Sequence, residues 1–196
     1  MVIELVPVDG QTPPDPDELA GIKPKHITTQ AQLNEWEQQN IVSGEQWALK
    51  QAKKQILDEA FVRRLHKKMF GDTWKWAGTF RSSDKTIGIP WEQIAVGLDQ
   101  LLKNTQAQIE FNAFGPDELA LRFHRNLVWI HPFPNGNGRH ARLMADLLAI
   151  KLGRARFSWG ANANLVAAGQ ARMNYTAALK AADQGQYAPL IEFGRT

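Results

Sequence analysis

Between Ile130 and Arg142 the chain reads Ile-His-Pro-Phe-Pro-Asn-Gly-Asn-Gly-Arg-His-Ala-Arg. No other stretch constrains the fold as strongly. A helical apolar pattern runs up to it from Pro116 and resumes after Asn137, to about Leu152. Pro132 lacks a backbone donor and pushes its predecessor out of helical pairing, so a helix ends at His131. Gly136 and Gly138 let the backbone turn sharply and approach a ligand closely. A helix beginning near Asn137 presents unpaired N–H groups and the positive end of its dipole, which together make an anion site. Arg139 and Arg142 lie three apart, on one side of that helix. Two guanidinium groups beside a helix N-terminus form a cradle for a polyphosphate. His131, at the mouth of the cradle, is placed to accept a proton from an attacking hydroxyl. A glycine loop is often only a turn and a single histidine is often structural. Here a histidine, two glycines and two arginines converge within twelve residues, which favours chemistry.

The rest of the chain is also mainly helical in pattern. Thr28 and Thr29 offer N-caps, and Gln32 stands at capping-box spacing from Thr29. The helix that follows carries Leu33, Trp36, Ile41 and Trp47, with Gly44 a weak point inside it. Asp58 starts another helix, with Phe61, Leu65 and Met69 at i+4 spacing. The interleaved Arg63, Arg64, Lys67 and Lys68 read as a solvated face. Further helices are expected over Ile94–Phe111, Pro116–Ile130 and Leu165–Ala182. Pro116 suits a first turn, with Asp117 and Glu118 near the positive dipole end. Within Arg81–Ile89, two short β-prone pieces flank a polar turn and Pro90 follows, which predicts a hairpin. Val6–Pro24 holds Pro7, Pro13, Pro14, Pro16 and Pro24 and reads as extended. The expected division is an N-terminal arm over 1–27, a helical region over 28–57 and the main domain over 58–196. The expected fold is an all-α helical bundle with one small β-hairpin.

Composition narrows the function classes. A chain of 196 residues with 43 % hydrophobic and 22 % charged residues is ordinary globular material, one domain in size. It has no cysteine, which excludes disulfides, cysteine zinc sites and thiol catalysis. The net charge of +3 is too small to point to nucleic acid, and no basic stretch is interleaved with aromatic residues. No run of about 18 apolar residues is present, so no membrane span is expected. Met1–Gly10 shows no basic start ahead of an apolar core, so no secretory signal is expected. A cytoplasmic location follows as the expectation.

The segment His131–Arg142 resembles the signature of the Fic family, H-P-F-x-[D/E]-G-N-G-R-x-x-R. It matches at His131, Pro132, Phe133, Gly136, Asn137, Gly138, Arg139 and Arg142. Leu65-His66 through Phe70, Trp76-Ala77-Gly78 and Arg81 look like the family's opening helix and the lead into its flap, so the resemblance covers roughly Asp58–Phe193. Over its whole length the chain looks like the subgroup called mobile mystery protein B, through Pro24–Thr29, Leu33–Ile41 and His131–Met144. The resemblance implies the Fic fold and transfer of AMP from ATP to a protein hydroxyl. It implies His131 as general base and Phe133 as the inward-packing residue that fixes the loop. Gly136, Asn137 and Gly138 would hold the α-phosphate, and Arg139 and Arg142 the outer phosphates. The hairpin, with Thr86, Ile87 and Gly88, would align the target backbone as an added strand. ATP is the implied donor and Mg²⁺ the implied ion. The subgroup implies a helix-turn-helix, antitoxin-like partner; the target protein is not readable.

The chain departs from this family pattern at Asn135, where the signature has an acidic residue. Magnesium prefers anionic oxygens, so Asn135 is a weak metal candidate. Kinase-like transfer, de-AMPylation, or nucleotide binding without turnover therefore stay open. Family members are often restrained by a helix whose glutamate pairs with the second motif arginine. Glu35, Glu37 and Glu45 are candidates for Arg142, although none fits the family's [S/T]-x-x-x-E-[G/N] pattern. Glu37, the inhibitory candidate, has Leu33 at the Ser/Thr position and is followed by Gln38. His66, His124 and His140 have no H-E-x-x-H zinc spacing. Trp74, Trp76, Trp91, Trp129 and Trp159 read as core or loop anchors, while one of them or Tyr175 borders any adenine pocket.

Overall fold

A computed structural model of the chain describes residues 16–27, 29–162, 165 and 169–196. Most of the expected N-terminal arm, and the cap expected at Thr28, lie outside the described residues. In chain order the helices are α1 (Pro16–Leu19), α2 (Gln30–Leu49), α3 (Glu59–Phe70) and α4 (Ile94–Glu110), the last entered through a 3₁₀ turn at Trp91–Gln93. Then come α5 (Pro116–Ile130), α6 (Asn137–Lys151), α7 (Trp159–Asn162), α8 (Gln170–Asp183) and α9 (Ala188–Arg195). The fold is all-α.

The helix starts follow from local chemistry. Thr29 and Gln32 form the reciprocal capping box, with the Gln32 N–H donating to Thr29 Oγ1 at 3.3 Å and the Thr29 N–H to Gln32 Oε1 at 3.2 Å. Asp58 caps α3 by accepting the Phe61 N–H at 2.7 Å. Pro116 sits at the start of α5. α3 buries Phe61, Val62, Leu65, His66, Met69 and Phe70, while its four basic residues face solvent, as their spacing predicts.

α6 is the centre of the bundle. Ten of its residues are buried, from Asn137 to Ala149, so the helix is enclosed on most of its faces. It packs on α5 and, more lightly, on α2 and α3. α2 lies along α3, and α8 and α9 close the other flank. The 156–159 stretch is tied to α6 through buried Asp146. This carboxylate accepts from Arg156 Nη2 at 3.1 Å, the Phe157 N–H at 3.1 Å and Trp159 Nε1 at 3.0 Å.

Several expectations need correction. Gly44 is not a weak point: a Cβ there would meet the Lys68 carbonyl and the Met69 backbone at 2.8 Å, so the glycine lets α2 and α3 touch. α8 begins at Gln170 rather than Leu165, and Leu165 is a buried loop residue. α9 is absent from the sequence reading, although Pro189 in its first turn and Leu190 mark it. Trp91 and Trp129 are exposed rather than anchoring; Trp129 lies under the Arg125 guanidinium at 5.6 Å.

The expected hairpin is not formed. Among the described residues the only bridge pairs Ile22 with Trp74, and residues 81–90 are irregular. The reason is Arg81, whose guanidinium is buried beneath the loop. It donates to the carbonyls of Ser83 (2.9 Å), His131 (2.7 Å) and Ile89. Carbonyls satisfied by a side chain do not need a cross-strand partner. Asp84 Oδ1 accepts the Trp91 N–H at 2.9 Å and closes the loop. Lys85 pairs with Glu18 at 2.7 Å, which pins the loop to α1.

Candidate active site

α5 ends at His131, which adopts a left-handed conformation at φ 52°. A non-glycine residue there is uncommon and is held by its surroundings. Arg81 Nε binds the His131 carbonyl and the Arg81 N–H binds the Pro132 carbonyl at 3.0 Å. Gly88, at φ 114°, packs so close that a Cβ would meet His131 Cβ at 2.8 Å. The imidazole is 6 % exposed. Burial, then Arg81 and Lys85, push its pKa down to about 4 against an opposing backbone hydrogen bond at Val128. His131 is therefore neutral at pH 7 and carries an acceptor nitrogen.

The loop after it is closed by its own side chains. The Phe133 N–H donates to Asn137 Oδ1 at 2.9 Å, and Asn137 Nδ2 returns to the Phe133 carbonyl at 2.7 Å. Asn137 thus offers a ligand only its backbone. Phe133 is fully buried, stacked 3.8 Å from His66. Gly136 turns at φ 78° against the Phe70 ring, where a Cβ would come within 2.6 Å. No side chain caps α6. Its first-turn N–H groups are left to the cavity, as an anion site requires.

His66, read from sequence as structural, holds this loop. The Gly78 N–H donates to its Nδ1 at 3.0 Å, so the neutral ring carries its proton on Nε2 and donates to the Asn135 carbonyl at 3.0 Å. Burial, with His140 and Arg139 nearby, drives its pKa well below the usual value. Only the folded chain brings residues 66, 78 and 135 together.

The two motif arginines part company. Arg139 pairs with Glu37 Oε2 at 2.8 Å and lies over the Phe70 ring. The other Glu37 oxygen accepts from Trp74 Nε1. The expected pairing of Glu37 with Arg142 is not formed, because α2 reaches α6 on the Arg139 side. Glu45 is instead paired with Arg156, and Glu35 is exposed. Arg142 turns toward α8 and hydrogen-bonds Tyr175. An arginine only donates, so the Tyr175 hydroxyl accepts from it and donates to His124 Nε2, 2.9 Å away.

These groups line one cavity of about 300 Å³. His131, Asn135, Gly136, Asn137, Gly138, Arg139 and Arg142 form one wall, and Ile87 overhangs it. Val128, Leu165, Tyr175 and Leu179 add an apolar lining, with Arg172 and Thr176 also on the cavity. Of the expected flap residues, Ile87 lines the cavity, Gly88 packs on His131, and Thr86 is exposed outside the lining. Tyr175 borders the cavity as expected. Val128, Leu165, Arg172, Thr176 and Leu179 were not legible as site residues. The helical periodicity around them looks like core, and no sequence motif marks Leu165.

The residues present do not fit a magnesium site. Among the described residues no carboxylate lines the cavity, and none of them form a cluster of three or more metal-ligating side chains. Asn135 Oδ1 already accepts the Gly136 N–H at 2.6 Å, and its backbone oxygen accepts from His66. The arrangement binds an anion through arginines and backbone N–H groups, and presents a neutral imidazole to whatever approaches it.

The helical bundle thus sets a histidine-proline turn, a glycine loop and two arginines around one cavity. Residues 56–149 match the model of the Fic/DOC family. A protein adenylyltransferase Fic from Drosophila mojavensis is 33 % identical over 82 residues, which is 42 % of this chain and 15 % of that protein. Fic-1 from C. elegans, an E274G variant, superposes with TM-score 0.64 at 24 % identity, covering 82 % of this chain and 48 % of that one. BepC, a VirB-translocated effector from Bartonella tribocorum solved with AMPPNP, gives TM-score 0.66 at 20 % identity over 92 % of this chain and 97 % of that one. This chain therefore spans only a small part of the curated fly relative and about half of the nematode structure.

Proposed function

We propose that the chain transfers the AMP moiety of ATP to a hydroxyl side chain of a target protein. The observation that carries this reading is a neutral His131 held over the uncapped start of α6, in the cavity that Arg142 also lines. The target hydroxyl attacks the α-phosphorus, its proton passes to the imidazole, and the bond to pyrophosphate breaks. The α6 N–H groups and Arg142 stabilise the charge that develops. The apolar wall of Val128, Tyr175 and Leu179 receives the base and ribose. The adenylyltransferase name of the fly relative and the AMPPNP held by BepC support the donor class. The subgroup placement rests on the sequence segments alone, and the helix-turn-helix partner rests on that placement.

The test is intact-protein mass before and after incubation with ATP, with His131→Ala alongside. An AMP-sized gain lost in His131→Ala is expected. A phosphate-sized gain would replace this reading by kinase-like transfer. Glu37 restrains the site in this scheme, because it occupies Arg139, so Glu37→Gly increases labelling by about tenfold or more, the scale of freeing one charge-assisted pair. Binding of nucleotide without any product, in the wild type and in Glu37→Gly, would leave a binding domain rather than an enzyme.

A further inference from the structure

The two motif arginines are anchored by partners of different charge. Arg139 is held by the Glu37 carboxylate. Arg142 hydrogen-bonds the Tyr175 hydroxyl, a neutral group, and among the described residues no carboxylate lines the cavity beside it. A neutral acceptor fixes a guanidinium without cancelling its charge. The same guanidinium reaches back toward the start of α6, with Nη1 3.5 Å from where a Cβ of Gly138 would stand. Arg142 therefore lies between the anion site at that helix start and α8.

The anchor does not end at Tyr175. Its hydroxyl donates to His124 Nε2, 2.9 Å away, and the order of donors has one solution. Arginine only donates, so the phenol oxygen accepts from Arg142 and its proton must go to an accepting nitrogen. His124 offers that nitrogen only while it is neutral, with its own proton on Nδ1. Burial, then the charge of Arg142, push the His124 pKa down to about 3 and keep it in this form. A cation on one side of the phenol also polarises the O–H bond and strengthens its donation on the other. His124 is fully buried on α5, and the Trp159 ring of α7 packs 4.9 Å from it. The Phe193 ring of α9 packs 5.7 Å from Tyr175 on α8. Residues of four helices thus fix the hydroxyl, and the hydroxyl fixes the arginine. A free arginine side chain gives up rotamer freedom when it meets a phosphate, and one already held gives up less.

We propose that Tyr175 and His124 are positioning residues, which aim Arg142 at the phosphates of the nucleotide and so set the affinity for its charged end. The proposal rests on the nucleotide reading above. It deepens that reading by giving the phosphate-binding arginine a support that lies outside the sequence motif.

The experiment is calorimetric titration of the full chain with AMPPNP, on the wild type and on Glu37→Gly, where Arg139 is freed. The further variants are made in Glu37→Gly. Tyr175→Phe keeps the ring, removes one hydroxyl, and weakens binding by about tenfold, the scale of one charge-assisted hydrogen bond. Arg142→Gln weakens it at least as much. With Arg142→Gln already in place, Tyr175→Phe changes the affinity by less than about twofold, because a residue that acts through the arginine has nothing left to act on. A merely structural hydroxyl would weaken binding by the same factor with or without the arginine, and that result overturns the proposal. Unchanged affinity in Tyr175→Phe alone overturns it too. His124 tests the chain from its other end, should Tyr175→Phe fail to fold. His124→Phe removes the acceptor and weakens binding, and His124→Gln, which restores an acceptor, recovers it. Equal affinities for these two variants overturn the proposal. No binding of AMPPNP by either the wild type or Glu37→Gly overturns the nucleotide reading itself, and the proposal with it.

Discussion

His131 and His66 do different work with the same side chain. His131 is kept neutral by burial and by Arg81 and Lys85, with a pKa of about 4. A base of this kind loses activity only as pH falls through that value. The pH–rate profile of the free enzyme should therefore be flat from about pH 6 to about pH 8, with its acid limb near pH 4. An acid limb near 6.5, the ordinary histidine value, would contradict the geometry. His66 does no chemistry but supplies both hydrogen bonds that join Gly78 to Asn135. His66→Phe keeps the stack on Phe133 and leaves two buried backbone groups unpaired. It should cost about 1–3 kcal/mol for each, read by urea unfolding, and weaken nucleotide binding as the loop loosens. The motif residues were legible because their spacing states a chemistry. His66 and Arg172 were not, since their partners lie far off in sequence and neither breaks a helical pattern.

Element by element, three helix starts were legible from a cap or a proline, while Pro189 marked α9 and went unread. Thr29, Asp58 and Pro116 each start a helix where expected. Two of the failures have a tertiary cause. Residues 81–89 carry β-prone side chains, yet a buried guanidinium takes the carbonyls that a ladder would have used. Gly44 looks like a flaw in α2 until α3 is laid against it. Gly44→Ala should therefore destabilise the chain despite its higher helix propensity, by about 1–3 kcal/mol, as overpacking does. A stabilised variant in thermal melts would show that the two helices have room to part. The same contact sets where α2 carries Glu37, so this variant should also shift the Glu37–Arg139 pair and raise basal labelling.

At the scale of the whole molecule, four of the histidines are buried and held neutral. His124 is pushed to about 3, His131 and His140 to about 4, and His66 well below its usual value, each chiefly by burial. The unfolded chain protonates these side chains near pH 6.5 and the folded chain does not. Stability is thus fully present above that pH and is lost as pH falls toward the folded values, by about 1.4 kcal/mol per unit for each histidine. Buried Asp146, whose pKa burial raises, runs the other way and offsets only part of this. The melting temperature should fall steeply between about pH 6 and about pH 5, and a flat profile would mean that the histidine pockets admit water. The all-α class was legible from periodicity, but these pockets were not, because burial is a property of the assembled bundle. One contact at the centre of that bundle also has an optical consequence. The Trp74 indole donates to the carboxylate that holds Arg139. When that carboxylate lets go, the indole loses its charged acceptor and its emission moves. The protein therefore carries a native fluorophore that signals, without any label, whether the arginine is free to meet a nucleotide.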